Sequence, residues 1–139
     1  MFATKRRKPF LQDVEFRSSV HAYLSGTSTA LGYKAHIVGG VEDHVHLLLM
    51  QSRSVDLAYF VQELKKASTK HIRSNGIPQF SWQGGYASFS FSRADLPNLF
   101  QYVEGQVEHY KHVTFHEELR QLLLEAGVPE EEIFIGADD

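Results

Sequence analysis

The sequence predicts an α+β protein: an antiparallel sheet in the order βαββαβ with its helices on one face, then a further helix toward the C-terminus. Three observations predict it. Apolar residues recur with helical period in separated stretches. Short β-rich runs bounded by glycines and polar turns stand between those stretches. The run Val41-Glu42-Asp43-His44-Val45-His46-Leu47-Leu48-Leu49-Met50 ends in an apolar segment suited to a central strand.

Phe2 to Thr4 reads as the end of a short strand, leading into the basic cluster Lys5-Arg6-Arg7-Lys8 and Pro9. Phe16, Val20, Tyr23 and Leu24 recur at i, i+4, i+7 and i+8, an amphipathic first helix. Tyr33 to Val38 reads as a second strand, with Gly39-Gly40 as a turn or bulge. On the third strand, His44 to Met50, side chains alternate: Val45, Leu47 and Leu49 share one face, and His44, His46, Leu48 and Met50 the other.

Ser54 is expected to cap the second helix, with Asp56 in its first turn. Leu57, Phe60, Val61, Leu64 and Ile72 form its buried stripe, and Asn75-Gly76 ends it. Trp82 lies in a loop, for which core packing is the simpler role. Tyr86 to Ser92 alternates with Ala87, Phe89 and Phe91, predicting a fourth, half-buried strand. Asp95 and Pro97 open a third helix over about 95–113, with the stripe Leu96, Leu99, Val103, Val107 and Tyr110. A short helix follows over about 116–126, then the acidic run Glu130-Glu131-Glu132. The first six elements follow the ferredoxin-like order.

Residues 1–139 suffice for one domain with a core. Absence of cysteine excludes disulfides and thiolate metal sites. No apolar run is long enough to span a bilayer and no leader pattern opens the chain, so a cytoplasmic protein is expected. The net charge of −3 hides an asymmetry. Residues 1–75 carry eleven Lys or Arg and six Asp or Glu, net +5; residues 76–139 carry three and eleven, net −8. A basic half can hold a polyanion at one surface, although unevenly spread solvated charge accounts for the same numbers.

His44 and His46 leave their strand on one face, where two neutral imidazoles can chelate a divalent metal. A packed or surface pair is the commoner meaning of His-x-His alone. Hard cations also want oxygen ligands. Tyr102 and Gln106 stack on one helix face, with His109 on the same stripe. A glutamine carbonyl can ligate a metal, and a tyrosine beside a metal-bound phosphate can act as nucleophile. A tyrosine on a helix more often packs; Tyr110, four residues after Gln106, competes with Tyr102, but its place nearer the middle of the apolar stripe favours packing.

Together these residues resemble the single-tyrosine HUH transposases of the insertion-sequence two-hundred/six-oh-five group. The matching pieces are Phe2-Ala3-Thr4-Lys5-Arg6-Arg7-Lys8-Pro9, Asp43-His44-Val45-His46-Leu47-Leu48, Trp82-Gln83-Gly84-Gly85-Tyr86 with Phe89-Ser90, Tyr102-Val103-Glu104-Gly105-Gln106, and Phe115 with Glu117 and Glu118. They run in order through nearly the whole chain. The resemblance implies His44, His46 and Gln106 as ligands to Mg²⁺ or Mn²⁺, and Tyr102 as the nucleophile that holds a 5′-phosphate. It further implies single-stranded DNA with hairpin ends as substrate. It also implies a homodimer in which one subunit's tyrosine helix completes the site of the other's histidines. Lys5, Arg6, Arg7, Lys65, Lys66, Lys70 and Arg73 are candidate phosphate contacts, and ordinary solvated charge explains any one of them equally well. The chain departs from the family where it begins almost inside its first strand, and where His109-Tyr110 stands in place of two adjacent histidines. Gly105 weakens its helix by about 1 kcal/mol relative to Ala and is a candidate hinge. Two other functions fit part of the pattern: a domesticated hairpin-binding protein that no longer cleaves, and a metal-dependent phosphoesterase that uses water instead of tyrosine.

Overall fold

A computed structural model describes residues 1–109 and 112–130. Three strands form one antiparallel sheet: β1 (Phe2–Ala3), β2 (Lys34–Gly40) and β3 (His44–Met50), in the order β1-β3-β2. β3 is therefore central, as its apolar run predicts. Phe2 stands opposite Val45, Ala3 opposite His44, and Gly39 opposite His46. The irregularity falls between Ala35 and Ile37 rather than at Gly39-Gly40, which extend β2.

Two long helices, α1 (Val14–Ala30) and α2 (Leu57–Ser74), pack together on the Val45 face. Asp13 starts α1 by accepting from the Phe16 backbone N–H at 2.8 Å. Val20 and Leu24 of α1 meet Phe60, Leu64 and Ile72 of α2 in one core with Phe2, Val45, Phe80 and Trp82. Each fully buried side chain of this kind contributes about 1.5–3 kcal/mol. Tyr33 stacks on Phe60 at 4.0 Å and donates its hydroxyl to the Val55 carbonyl at 2.7 Å. Trp82 packs edge-on against Phe2 and Phe80 and donates its indole N–H to Ser68 Oγ at 2.9 Å. That bond explains a buried serine on the apolar stripe of α2.

Asp56, not Ser54, holds the N-cap position of α2. Ser52 Oγ accepts from the backbone N–H groups of Ser54 and Val55, which closes a separate turn before the helix begins.

The expected fourth strand, Tyr86 to Ser92, is not a strand among the described residues. The chain from Ser81 to Ala87 does run beside β1 and its flanking residues. Lys5 N–H donates to Ser81 O, Gln83 N–H to Ala3 O, and Ala87 N–H to Met1 O. The backbone bonds of this segment to the β1 side reach as far as Ala87. Residues 88–92 keep their alternation with no ladder to join.

The third helix also departs from expectation. Ser92 and Asp95 form a capping box over a 3-10 turn, Arg93–Asp95. α3 then covers Leu96–Glu104 and α4 Gln106–His109. Gly105 ends the first piece. Across the break Gln106 is buried, like Val103 one turn before it, while Val107 is half exposed. Tyr110, Glu131 and Glu132 lie outside the described residues. α5 (Phe115–Glu125) follows, capped by Thr114 and Glu117. None of the described helices is long and apolar enough to cross a membrane.

The histidine face of the sheet, opposite the two long helices, is covered as well. α3 packs on β2 and β3 of its own chain. Gly39 permits this approach: a Cβ there would lie 2.6 Å from the Val103 carbonyl oxygen and 2.9 Å from Val103 Cγ1.

His21 on α1 gives the fold an acid-sensitive point. Burial, and then Arg17, hold its imidazole down at about 4 instead of 6.5. As pH falls, the unfolded chain takes this proton first, so stability present above 6.5 is lost toward 4. The urea midpoint will be lower at about pH 5 than at about pH 7, and His21→Gln will narrow the difference. An unchanged difference in that variant removes His21 from the account.

Candidate active site

Four elements converge on one buried cluster. β3 supplies His44 and His46, fully buried and nearly so, with ring centroids 5.4 Å apart. α3 supplies Tyr102, α4 supplies Gln106 and His109, and α5 supplies Glu118. The central strand fixes the two imidazoles on one face by its period of two.

His44 Nδ1 donates to Asp43 Oδ1 at 2.6 Å. This partner sets the tautomer and leaves Nε2 as the ring's lone-pair nitrogen. Phe115 packs against the same ring at 5.0 Å. His46 Nε2 lies 3.0 Å from Glu118 Oε1. Burial lowers the His46 pKa below its ordinary value, against an opposing pull from Glu118. The neutral, metal-competent form is therefore favoured.

Glu118 is the hub. Its Oε2 accepts from the Tyr102 hydroxyl and lies 3.0 Å from His109 Nε2. Burial first, and then the bond to Glu118, push the Tyr102 phenol far above its ordinary range. Tyr102 thus rests protonated, its ring edge-on to His46 at 5.7 Å. The Gln106 amide nitrogen donates to the Tyr102 backbone carbonyl at 3.1 Å. Gln106 Oε1 is buried without a hydrogen-bond partner.

Ligand atoms of His44, His46 and Glu118 all lie within 4.8 Å of one another, a spacing that can hold a metal ion. Two imidazole nitrogens and a carboxyl oxygen form a mixed set suited to a divalent cation. The partnerless Gln106 Oε1 fits the same purpose. The structure thus gathers His44, His46, Tyr102 and Gln106, the four residues given site roles from the sequence, and brings beside them Glu118, Asp43 and His109, which had been given none. His46 and Tyr102 face a cleft of about 910 Å³ walled by β3, residues 86–93, α3 and part of α5.

The basic residues fall in two places. Lys5, Arg6 and Arg7 form a 3-10 turn beyond β1, with φ of 52° at Arg6 and 51° at Arg7. Lys65, Lys66, Lys70 and Arg73 line a groove of about 750 Å³ between α2 and the loop carrying Trp82 and Tyr86. Lys65 Nζ donates to Gln83 O, and Arg73 Nε to Phe80 O, so these two also pin the loop. Lys66 and Lys70 are exposed.

Because α3 rests on Gly39, Gly39→Val will push the tyrosine helix from the sheet at a cost of about 1–3 kcal/mol. A lower melting temperature and faster proteolysis within residues 96–109 are the expected readouts. An unchanged cleavage pattern would show that α3 does not depend on this contact.

A family model described as transposase IS200 like matches residues 1–106. No curated protein matches the chain. Among solved structures, a crystal structure of a candidate transposase from Deinococcus radiodurans R1 is similar, with a TM-score of 0.60 and 27% identity over 76% of this chain and 85% of that one.

Proposed function

The chain belongs to the IS200-like transposase family, and from that premise we propose that it cleaves and rejoins single-stranded DNA through Tyr102. One observation carries the reading: a tyrosine hydroxyl on α3 meets a His-His-Glu group able to hold a metal.

In the proposed reaction the Tyr102 oxygen attacks a DNA phosphorus, and the bond from phosphorus to the 3′-oxygen breaks. The products are a 5′-phosphotyrosine and a free 3′-hydroxyl. Rejoining reverses the step with a 3′-hydroxyl as nucleophile. One phosphodiester replaces another, so no external energy source is needed. His44, His46 and Glu118 would hold Mg²⁺ or Mn²⁺, with Gln106 Oε1 as a further donor. A bound divalent ion would polarise the scissile phosphate and offset charge in the in-line displacement.

The groove along α2 is the proposed seat of the hairpin, through phosphate contacts from Lys66 and Lys70 and from Lys65 and Arg73 at its wall. Lys5, Arg6 and Arg7 extend that basic surface in the proposal. We also propose a cytoplasmic homodimer whose subunits share their sites. Tyr102 already meets the His46 of its own chain, so exchange of α3 between subunits would keep the same contacts.

Incubation with single-stranded element ends and Mn²⁺, followed by a denaturing gel and mapping of the modified residue, tests the reading. A DNA adduct on Tyr102 is expected. Tight hairpin binding without an adduct would instead mark a non-cleaving DNA-binding protein.

A further inference from the structure

We propose that Glu118 is the positioning residue for the Tyr102 nucleophile, held in turn by His109. The proposal rests on the DNA-cleavage reading above and adds to it the group that orients the attacking oxygen.

The local sequence explains why this acid points inward. Thr114 caps α5, and its Oγ1 accepts from the Glu117 backbone N–H at 3.1 Å. The Glu117 carboxyl returns to the Thr114 N–H at 3.1 Å. This reciprocal pair fixes the first turn of α5. It leaves Glu117 in solvent and turns Glu118 into the protein, where it is 4% exposed. Two adjacent glutamates therefore do opposite things. The first stabilises a helix end; the second enters the site.

Inside, the two oxygens of Glu118 have separate partners. Oε1 faces His46, on the metal side. Oε2 accepts from Tyr102 and faces His109 Nε2. A buried carboxyl must be hydrogen-bonded, and here β3, α3 and α4 each supply a partner. Glu118 thus touches a metal-side histidine, the tyrosine hydroxyl and His109 together. The arrangement holds the Tyr102 oxygen at a set distance from the histidine face. Alignment of this kind matters: a misplacement of about 1 Å can cost about 100-fold in rate. His109 acts one step further out, by fixing the oxygen that Tyr102 uses.

A plain structural staple for α5 would predict lost stability and nothing else. The variants separate these roles. At saturating Mn²⁺, Glu118→Ala will lower the single-turnover rate of adduct formation about 100-fold. Glu118→Gln keeps the shape and one acceptor oxygen, and will restore the rate to within about 10-fold of the parent. His109→Ala, which leaves Glu118 in place, will lower it about 10-fold. Hairpin affinity will be the same in all three. If Glu118→Ala does not fold, His109→Ala carries the test by itself. Parent-like rates in every folded variant overturn the proposal, as does a Gln variant no faster than Ala at a parent-like melting temperature.

A second readout needs neither DNA nor metal. With tyrosine labelled at the ζ-carbon, the Tyr102 resonance will shift in Glu118→Gln and in His109→Ala. An unchanged resonance overturns the proposed contact. A shifted resonance in a protein that forms no adduct would uphold the contact and refute the cleavage reading.

Discussion

Tyr102→Phe will abolish covalent attachment to single-stranded DNA, a loss of about 1,000-fold or more, because the attacking oxygen is gone. The substitution removes one hydroxyl and leaves the ring against His46 and His109. Hairpin affinity should therefore stay within about twofold, since the α2 groove lies on the other side of the sheet from Tyr102. A denaturing gel with labelled element ends reads the first effect, and a native gel shift reads the second. Persistence of the adduct would move the nucleophile elsewhere. Survival of cleavage without any adduct would point to water as nucleophile and a phosphoesterase. The mutation also takes away one donor to Glu118, so a small fall in melting temperature accompanies it.

The parts of this site carried by local periodicity were legible in the sequence. Alternation on β3 separates Val45 from His44 and His46, and the structure buries Val45 in the core while the histidines turn to the α3 side. Helical spacing likewise places Phe60, Leu64 and Ile72 of α2 inside. Non-local pairing was not legible in the same way. The alternation of Ala87, Phe89 and Phe91 describes a strand-like face, but a strand needs a partner, and the sheet of the described residues holds only β1, β3 and β2. Gly105 was visible as a weak point. Which side of the following turn is buried, Gln106 rather than Val107, depends on packing against the sheet. The role of Glu118 was hidden for a different reason. Glu117 and Glu118 both look like first-turn acids that favour a helix N-terminus. Only the register of the Thr114 cap decides which one turns inward.

His46→Ala will remove metal binding, lowering Mn²⁺ affinity by about 100-fold or more, since even outer partners of metal ligands cost about 10–100-fold. Electron paramagnetic resonance of free Mn²⁺ measures this without DNA, and adduct formation should fall with it. The contrast between oxygen donors is equally informative. Glu118 Oε1 already stands 3.0 Å from His46 Nε2, whereas Gln106 spends its amide nitrogen on the Tyr102 backbone. Gln106→Ala should therefore weaken Mn²⁺ less than Glu118→Ala does. The reverse order would make the glutamine carbonyl the principal oxygen ligand. The direction of the His46 shift adds a pH signature. Burial favours its neutral form, so the ring keeps its lone pair as the pH falls below the usual histidine range. Mn²⁺ affinity in the parent protein should accordingly decline later on acidification than for an exposed histidine pair of ordinary pKa. Equal acid sensitivity of the two, or unchanged Mn²⁺ affinity in His46→Ala, would place the metal somewhere other than on this strand.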